Sequence, residues 1–160
     1  MAVDALAAFE RLGRSRIGRW LYAQMVCWRA PYFGSIRPTV LDLRPGLCIA
    51  RMTQRRALQN HIGTVHAIAV CNLAELTAGL VTEATLPKSM RWLPKRMQVD
   101  YLRKARGTLT ATAKLAAPRL DEAQDGVVEV TVRDQADEVV VSATITMWLT
   151  PRPLGDTAHL

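Results

Sequence analysis

The residues best suited to chemistry lie between Asn60 and Gly79. Asn60 precedes His66 by six positions, and His66 precedes the carboxylate of Glu75 by nine. From Val65 to Leu80 almost every other side chain is apolar, which is typical of a helix buried on all sides. We therefore expect Glu75 to be a buried carboxylate. Loss of hydration makes a carboxylate a better proton acceptor, so Glu75 is suited to activate water as a general base or to attack a carbonyl directly.

A buried carboxylate also has a purely structural explanation. Glu75 could pair with an arginine such as Arg55 or Arg56 and so hold the helix to a sheet. Asn72 lies one helical turn before Glu75, where its amide could hydrogen-bond the carboxylate. In these structural explanations a side chain of the protein is the partner of the Glu75 carboxylate, whereas in the catalytic explanation the carboxylate is free to act on a substrate.

The elements around this helix indicate an α+β protein. Two amphipathic helices come first, a β-hairpin follows, and four strands joined by short links come after the long helix. No alternation of strand and helix is present, so we expect an antiparallel sheet wrapped around the buried helix. Pro87 and Pro94 are expected to break the chain before the third strand. Helices are predicted within residues 4–30, with a break at Gly13, and at 65–80; strands are predicted at 37–43, 47–53, 97–102, 108–115, 127–133 and 139–149.

Composition predicts one folded domain without a membrane span. The chain has 160 residues, of which 49% are hydrophobic and 22% charged, and no apolar run approaches the ~20 residues that a span needs. We expect a helical extension at residues 1–30, a main domain at 31–150 and a tail at 151–160. Cys27, Cys48 and Cys71 lack the spacing of a metal site and are predicted to be buried free thiols. Free thiols favour a reducing compartment, and we expect no signal peptide, so we predict a cytoplasmic protein. Because the cysteines lack metal-site spacing, we predict no bound metal.

The net charge of +7 allows several anionic partners. The basic residues are not interleaved with aromatic ones, which argues against binding of nucleic acid. Arginines on the first two helices would also suit helices that lie on a membrane surface. Arginines on the solvent-exposed face of a packed helix are, however, commoner. We therefore expect those helices to pack against the main domain. Among the anionic partners that the net charge allows, a nucleotide-bearing thioester remains suitable.

The chemistry-bearing stretch resembles the hotdog-fold thioesterases of the PaaI-like branch. That branch places an amide, a His-Gly-Gly and a Leu-Ala-Asp/Glu at the spacing of Asn60, His66 and Leu73-Ala74-Glu75. Downstream, VDYLR and ARGTL resemble the strand pair of the family. The segments PYFGSI, NHIGTVHAIAVCNLAEL and RWLPKRMQVDYL are similar to a hotdog family described as DUF4442. The resemblance covers roughly residues 32–150 and implies five to six strands around one central helix.

The resemblance implies an acyl-CoA thioesterase in which Glu75 is the general base or nucleophile. His66 and Asn60 would orient the thioester carbonyl or the attacking water, and the Ala67 backbone N–H would bind the oxyanion. It also implies a homodimer in which Glu75 faces His66 and Asn60 of the partner subunit. A tetramer is an alternative oligomeric state. No cofactor is implied beyond the coenzyme A of the substrate. The family's His-Gly-Gly is His66-Ala67-Ile68 here, so Cβ atoms occupy space that glycines would leave to a pantetheine arm.

Two other functions remain open at this point. His61 and Glu75 have a separation similar to that in hotdog 3-hydroxyacyl dehydratases, although the Gly and Pro residues that surround that histidine are missing. The Ala67-Ile68 departure is also compatible with a protein that binds acyl-CoA as a sensor or carrier without hydrolysing it. Basic residues after the central helix are candidates to hold the phosphates of coenzyme A, or else form a solvated strand edge: Arg96, Arg103, Lys104 and Arg106. The predicted substrate-binding residues are His61, Gly63, Asn72, Arg96, Arg103 and Arg106.

Overall fold

The structure is a computed structural model that describes residues 4–120 and 122–152. Its helices are α1 (Ala5–Leu12), α2 (Arg16–Arg29) and α3 (Ala67–Thr85), with short 3-10 helices η1 (Pro31–Ile36) and η2 (Arg56–Leu58). Its strands are β1 (Thr39–Arg44), β2 (Leu47–Thr53), β3 (Met90–Tyr101), β4 (Thr108–Leu115), β5 (Gln124–Arg133) and β6 (Val139–Pro151).

The six strands form one antiparallel sheet in the order β1-β2-β4-β5-β6-β3. Side chains alternate between buried and exposed along β4 and β5, so one face of the sheet meets α3 and the other meets solvent. Fully buried alanines at 50, 111 and 113 line the middle strands and let the helix approach the sheet closely. This confirms the predicted α+β hotdog arrangement with one long central helix.

The two N-terminal helices form where the sequence predicts them. Asp4 accepts a hydrogen bond from the Ala7 N–H at 3.1 Å to cap α1, and Ser15 accepts one from the Gly18 N–H at 3.0 Å to cap α2. The rings of Phe9 on α1 and Tyr22 on α2 meet edge to face, with centroids 5.1 Å apart. Both rings belong to the main core, so the helices pack against the sheet domain.

Strand β3 is twice as long as the strand predicted at 97–102, and Pro94 lies inside it. The prediction of a break at Pro94 was wrong because β3 is the last strand of the sheet. An edge strand tolerates a residue without a backbone N–H, and the pairing with β6 shifts register between Pro94 and Arg96. At the other end of the chain, β6 extends to Pro151, and residues 153–160 of the predicted tail lie outside the described residues.

The expectation that the central helix is buried on all sides was also wrong. Ile68, Glu75 and Glu83 lie on one stripe of α3 and are exposed. This stripe runs beside edge strand β3, and no further strand of the described chain covers it. By length and composition α3 could cross a membrane, but 61% of its apolar window is buried inside the fold, as in a core helix.

All three cysteines are free thiols. Only Cys48 is buried, whereas Cys27 and Cys71 are half-buried. The prediction of three buried thiols was therefore wrong for two of them, because α2 and α3 each keep one side open.

Candidate active site at the amino end of the central helix

His66 caps the amino end of α3. Its Nδ1 accepts a hydrogen bond from the Ile68 N–H at 3.1 Å, which is the usual geometry of a helix cap. Because Nδ1 is the acceptor, the neutral ring carries its hydrogen on Nε2. His66 is exposed, so Nε2–H is a donor available outside the helix. The cap therefore fixes both the orientation of the ring and its tautomer.

The Ala67 N–H is the first amide of α3, and within the described part of the chain it has no acceptor. The next amides are engaged, because the N–H groups of Ala69 and Val70 both donate to the His66 carbonyl, at 2.9 and 3.2 Å. The positive end of the helix dipole adds to this free donor. Ala67 is thus placed for the oxyanion role that the family resemblance implies.

Asn60 organises the turn that leads into the helix. Its Oδ1 accepts hydrogen bonds from the N–H groups of Ile62 and Thr64, both at 3.1 Å, and its Nδ2 donates to Thr64 Oγ1 at 2.8 Å. Gly63 has a φ of +73°, a left-handed conformation that favours glycine. His61 is exposed at the tip of the same turn. Within one chain, Asn60 therefore shapes the entrance of α3 and does not approach Glu75.

Gln54 connects this turn to a second loop and was not identified from the sequence. Its Nε2 donates to the Gly63 carbonyl at 3.0 Å, and its Oε1 accepts from the Gly107 N–H at 2.8 Å. The Val65 N–H also donates to the Ala105 carbonyl at 2.9 Å. These bonds hold the loop after β3 against the start of α3. A single glutamine after a strand belongs to no motif, so only the fold reveals its role.

The loop after β3 brings part of the predicted basic group to the helix. Arg103 and Arg106 flank Ala105, and both are exposed. Arg103 forms a surface ion pair with Glu138, with an N–O distance of 3.3 Å. Arg96 lies five positions before Tyr101 on β3, which is about 17 Å along an extended strand. The structure therefore brings the backbone between Arg103 and Arg106 to the start of α3 through the bond from Val65 to Ala105, and leaves Arg96 further away on β3.

Glu75 is not the buried, partnered carboxylate that the sequence suggests. It is exposed, and within the described residues it forms no ion pair with Arg55 or Arg56. The Asn72 amide does not bond it either. Asn72 is buried and donates through Nδ2 to Ser35 Oγ at 3.0 Å and more weakly to the Tyr32 carbonyl at 3.4 Å. Glu75 lacks a partner because its side of the helix is the uncovered one.

The elements leave Glu75 and His66 far apart within one chain. Nine positions along a helix correspond to a rise of about 13 Å, so the two side chains cannot act on one atom. The nearest polar pair one turn before Glu75 is the Cys71 thiol and the Tyr101 hydroxyl, at 3.0 Å. The hydrogen bond to Cys71 and, secondarily, desolvation raise the pKa of Tyr101 to about 12. Both residues belong to the uncovered surface and were not among the predicted site residues.

A groove of about 590 Å³ opens beside His66, between α3, η1 and η2. Its wall is formed mainly by apolar groups, among them Leu58, Ile68 and Ala69, and no acidic side chain lines it. Asn72 Oδ1 and Arg55 Nε lie buried at this wall without a hydrogen-bond partner in the described residues. Arg55 also donates to the Ser35 carbonyl through Nη2. A groove of this size and character accommodates an acyl group and offers a few polar contacts.

Comparisons with known proteins agree with this architecture. No curated protein matches the chain. The structural-genomics protein APC5556 is 36% identical over 94% of this chain and 100% of its own, and superposes with a TM-score of 0.81. PA5026 from Pseudomonas aeruginosa, described as a probable thioesterase of unknown function, is 22% identical over 82% of this chain and 95% of its own, with a TM-score of 0.74. A hypothetical thioesterase from Streptococcus pneumoniae TIGR4, crystallised with coenzyme A, is 18% identical over 79% of this chain and 98% of its own, with a TM-score of 0.67.

The family comparison covers most of the chain. Residues 18–149 match the family described as "Domain of unknown function (DUF4442)". The match begins within α2 and ends within β6, so it includes the groove, the capped start of α3 and Glu75. The chain belongs to the DUF4442 family and has the hotdog fold.

Proposed function

We propose that this protein hydrolyses acyl-CoA or a related thioester at a site that two copies of the chain share. The observation that carries the proposal is the amino end of α3. There the free Ala67 N–H and the outward Nε2–H of His66 lie beside a largely apolar groove. Two donors at the positive end of a helix suit the developing oxyanion of a thioester, and the groove suits the acyl group.

The chemistry then needs one base. Glu75 takes a proton from a water molecule as the water oxygen bonds to the thioester carbon, and the carbonyl oxygen becomes an oxyanion held by the Ala67 N–H. When the tetrahedral intermediate collapses, the carbon–sulfur bond breaks and the thiolate takes the proton from Glu75. The products are a carboxylic acid and free coenzyme A. Direct attack by Glu75 would instead form an anhydride as the carbon–sulfur bond breaks and the thiolate leaves. Water then hydrolyses the anhydride, which regenerates the Glu75 carboxylate and supplies the proton that the thiolate takes up.

A two-fold dimer would bring the separated groups together. Strand β3 has one edge without a partner in the described chain, and the uncovered stripe of α3 with Glu75 lies beside it. Exposed apolar side chains on and after this strand, Leu93, Tyr101 and Leu102, add to the face. Pairing of β3 with its copy would cover these groups and place Glu75 opposite the amino end of the partner's α3.

The relatives and the charge support coenzyme A as the carrier. The Streptococcus pneumoniae thioesterase was crystallised with coenzyme A, and PA5026 is described as a probable thioesterase. Arg103 and Arg106 belong to the loop whose Ala105 carbonyl accepts a hydrogen bond from the Val65 N–H, and we propose that they contact the phosphates of the nucleotide. The net charge of +7 favours approach of such a polyanion.

The test is release of free thiol from a panel of acyl-CoA esters that vary in chain length. Glu75→Gln should lower kcat by roughly 100-fold to 10,000-fold, the usual contribution of a general base. The matched control is Glu83→Gln, because Glu83 is exposed two turns later on the same stripe and bonds Trp92. Equal rates for Glu75→Gln and the unaltered protein would contradict the mechanism, and no thiol release from any ester would contradict the function.

One observation favours a second candidate, a protein that binds acyl-CoA without turnover. Ile68 stands at the rim of the groove with 54% of its side chain exposed, where the family resemblance places glycine. Its bulk would hold the thioester away from the Ala67 N–H while leaving the groove free to bind the acyl group. Micromolar or tighter binding of acyl-CoA without thiol release would support this candidate. Ile68→Gly should then gain activity, because the glycine restores close approach to the backbone.

A further inference from the structure

Apart from the exposed Gln24, the outer face of α2 is apolar, although its inner face already packs against the core. Ile17, Trp20, Leu21 and Trp28 are 73%, 58%, 45% and 83% exposed. At about 100° per residue these four side chains fall within an arc of about 100°, which makes them one stripe along the helix. The opposite side carries the buried Tyr22. We call the four exposed residues the outer stripe of α2.

Positive charge surrounds this stripe. From Arg11 to Leu41 the chain contains six arginines and no aspartate or glutamate. Arg14 lies just before the helix, and Arg16 and Arg29 are its first and last residues. All three are exposed. A helix with tryptophans on one face, arginines at its borders and no acidic residue is typical of helices that lie in the headgroup region of a membrane.

The position of α2 leaves the stripe free in the proposed dimer. Helix α2 packs against β1, at the edge of the sheet opposite β3. Pairing through β3 therefore cannot cover it. The chain continues directly from α2 into η1, which forms part of the groove wall. Tyr32 on η1 is 66% exposed and extends the aromatic surface toward the groove.

We infer that the outer stripe of α2 binds the surface of an anionic lipid membrane. The tryptophans and Ile17 would enter the headgroup region, and the arginines would pair with lipid phosphates. Charge complementarity is what selects lipid over a second copy of the chain, since α2 would meet the same arginines on a copy. The inference stands apart from hydrolysis, because binding depends only on this face.

The experiment is sedimentation of the full chain with vesicles of phosphatidylcholine alone and of equal parts phosphatidylcholine and phosphatidylglycerol. We expect strong binding to the second kind only, weakened by salt. Trp20→Ser/Trp28→Ser should lower the partition coefficient at least about tenfold. The matched control is Trp148→Ser, which removes a 39% exposed tryptophan from β6, far from α2 in the chain.

A charge-matched pair tests the electrostatic part. Arg14→Glu/Arg16→Glu should weaken binding by about twentyfold or more, since each basic residue near an anionic surface contributes about fivefold. Arg51→Glu/Lys114→Glu changes the net charge equally at exposed positions of β2 and β4 and should have a much smaller effect. The inference is overturned by equal binding to both vesicles, or by equal losses in α2 variants and controls. It is also overturned if the tryptophan variants abolish self-association and the protein does not bind vesicles.

Discussion

At the scale of single residues, Glu75 shows that the spacing of a proposed catalytic group is easier to predict than its surroundings. Its spacing from His66 and Asn60 is visible in the sequence, but its environment depends on what covers α3. In one chain the carboxylate is exposed to water. The low-dielectric surroundings that would make it an efficient base must therefore come from the substrate and a second copy of the chain.

Tyr22 offers a prediction about stability, because it is fully buried and its hydroxyl has no hydrogen-bond partner in the described residues. An unsatisfied hydroxyl costs free energy, whereas the ring contact with Phe9 does not need it. Tyr22→Phe should therefore raise the free energy of unfolding by about 1 kcal/mol at neutral pH. Urea unfolding measures the change, and Tyr32→Phe, at an exposed tyrosine, should leave it unaltered. A loss of stability in Tyr22→Phe would show that the hydroxyl has a partner.

The same variant predicts a change in pH dependence. Burial raises the pKa of the Tyr22 phenol above its ordinary value of about 10. Above pH 10 the unfolded chain ionises this tyrosine and the folded chain does not, so stability that is present below pH 10 is lost as the pH rises. Tyr22→Phe removes this source of loss. Unfolding measured between pH 8 and 11 should fall less steeply with pH in Tyr22→Phe than in the unaltered protein.

At the scale of elements, local patterns predicted most of the fold. Strands β2 and β4 match their predicted bounds because alternation and flanking turns mark both ends, whereas β5 begins three residues before its predicted start and β6 ends two residues after its predicted end. The prediction failed at β3 and on one side of α3. A proline would break an inner strand but is tolerated in an edge strand, and the overall apolar composition of a helix does not say which of its sides a neighbouring element will cover. Both failures concern the same uncovered face.

His66 joins an element to the chemistry, and two substitutions separate these roles. Asparagine is a strong helix cap, so His66→Asn should keep the stability of α3 and lose only the Nε2–H donor. His66→Ala should lose both and unfold at a free energy lower by about 1 kcal/mol. Thiol release should fall about 100-fold or more in each variant. Full activity in His66→Asn would assign His66 a capping role alone.

At the scale of the whole molecule, the proposed site is incomplete in one chain. The donors lie at the amino end of α3 and the carboxylate lies about 13 Å further along the same helix, on the face beside β3. No pattern within a single sequence reports contacts between two copies. The homodimer is therefore a prediction of the family resemblance alone, and the uncovered face of β3 and α3 is the surface that such a dimer would bury.

Complementation between two inactive chains tests this arrangement directly. Glu75→Gln and His66→Asn chains are expressed together with different tags, and mixed dimers are purified on both tags. If each site takes Glu75 from one chain and His66 from the partner, every mixed dimer contains one intact site and one doubly altered site. The mixed dimers should then recover about half of the unaltered kcat per dimer, whereas each variant alone stays nearly inactive. Mixed dimers as inactive as the parents would overturn the shared site, and so would a strictly monomeric protein in sedimentation.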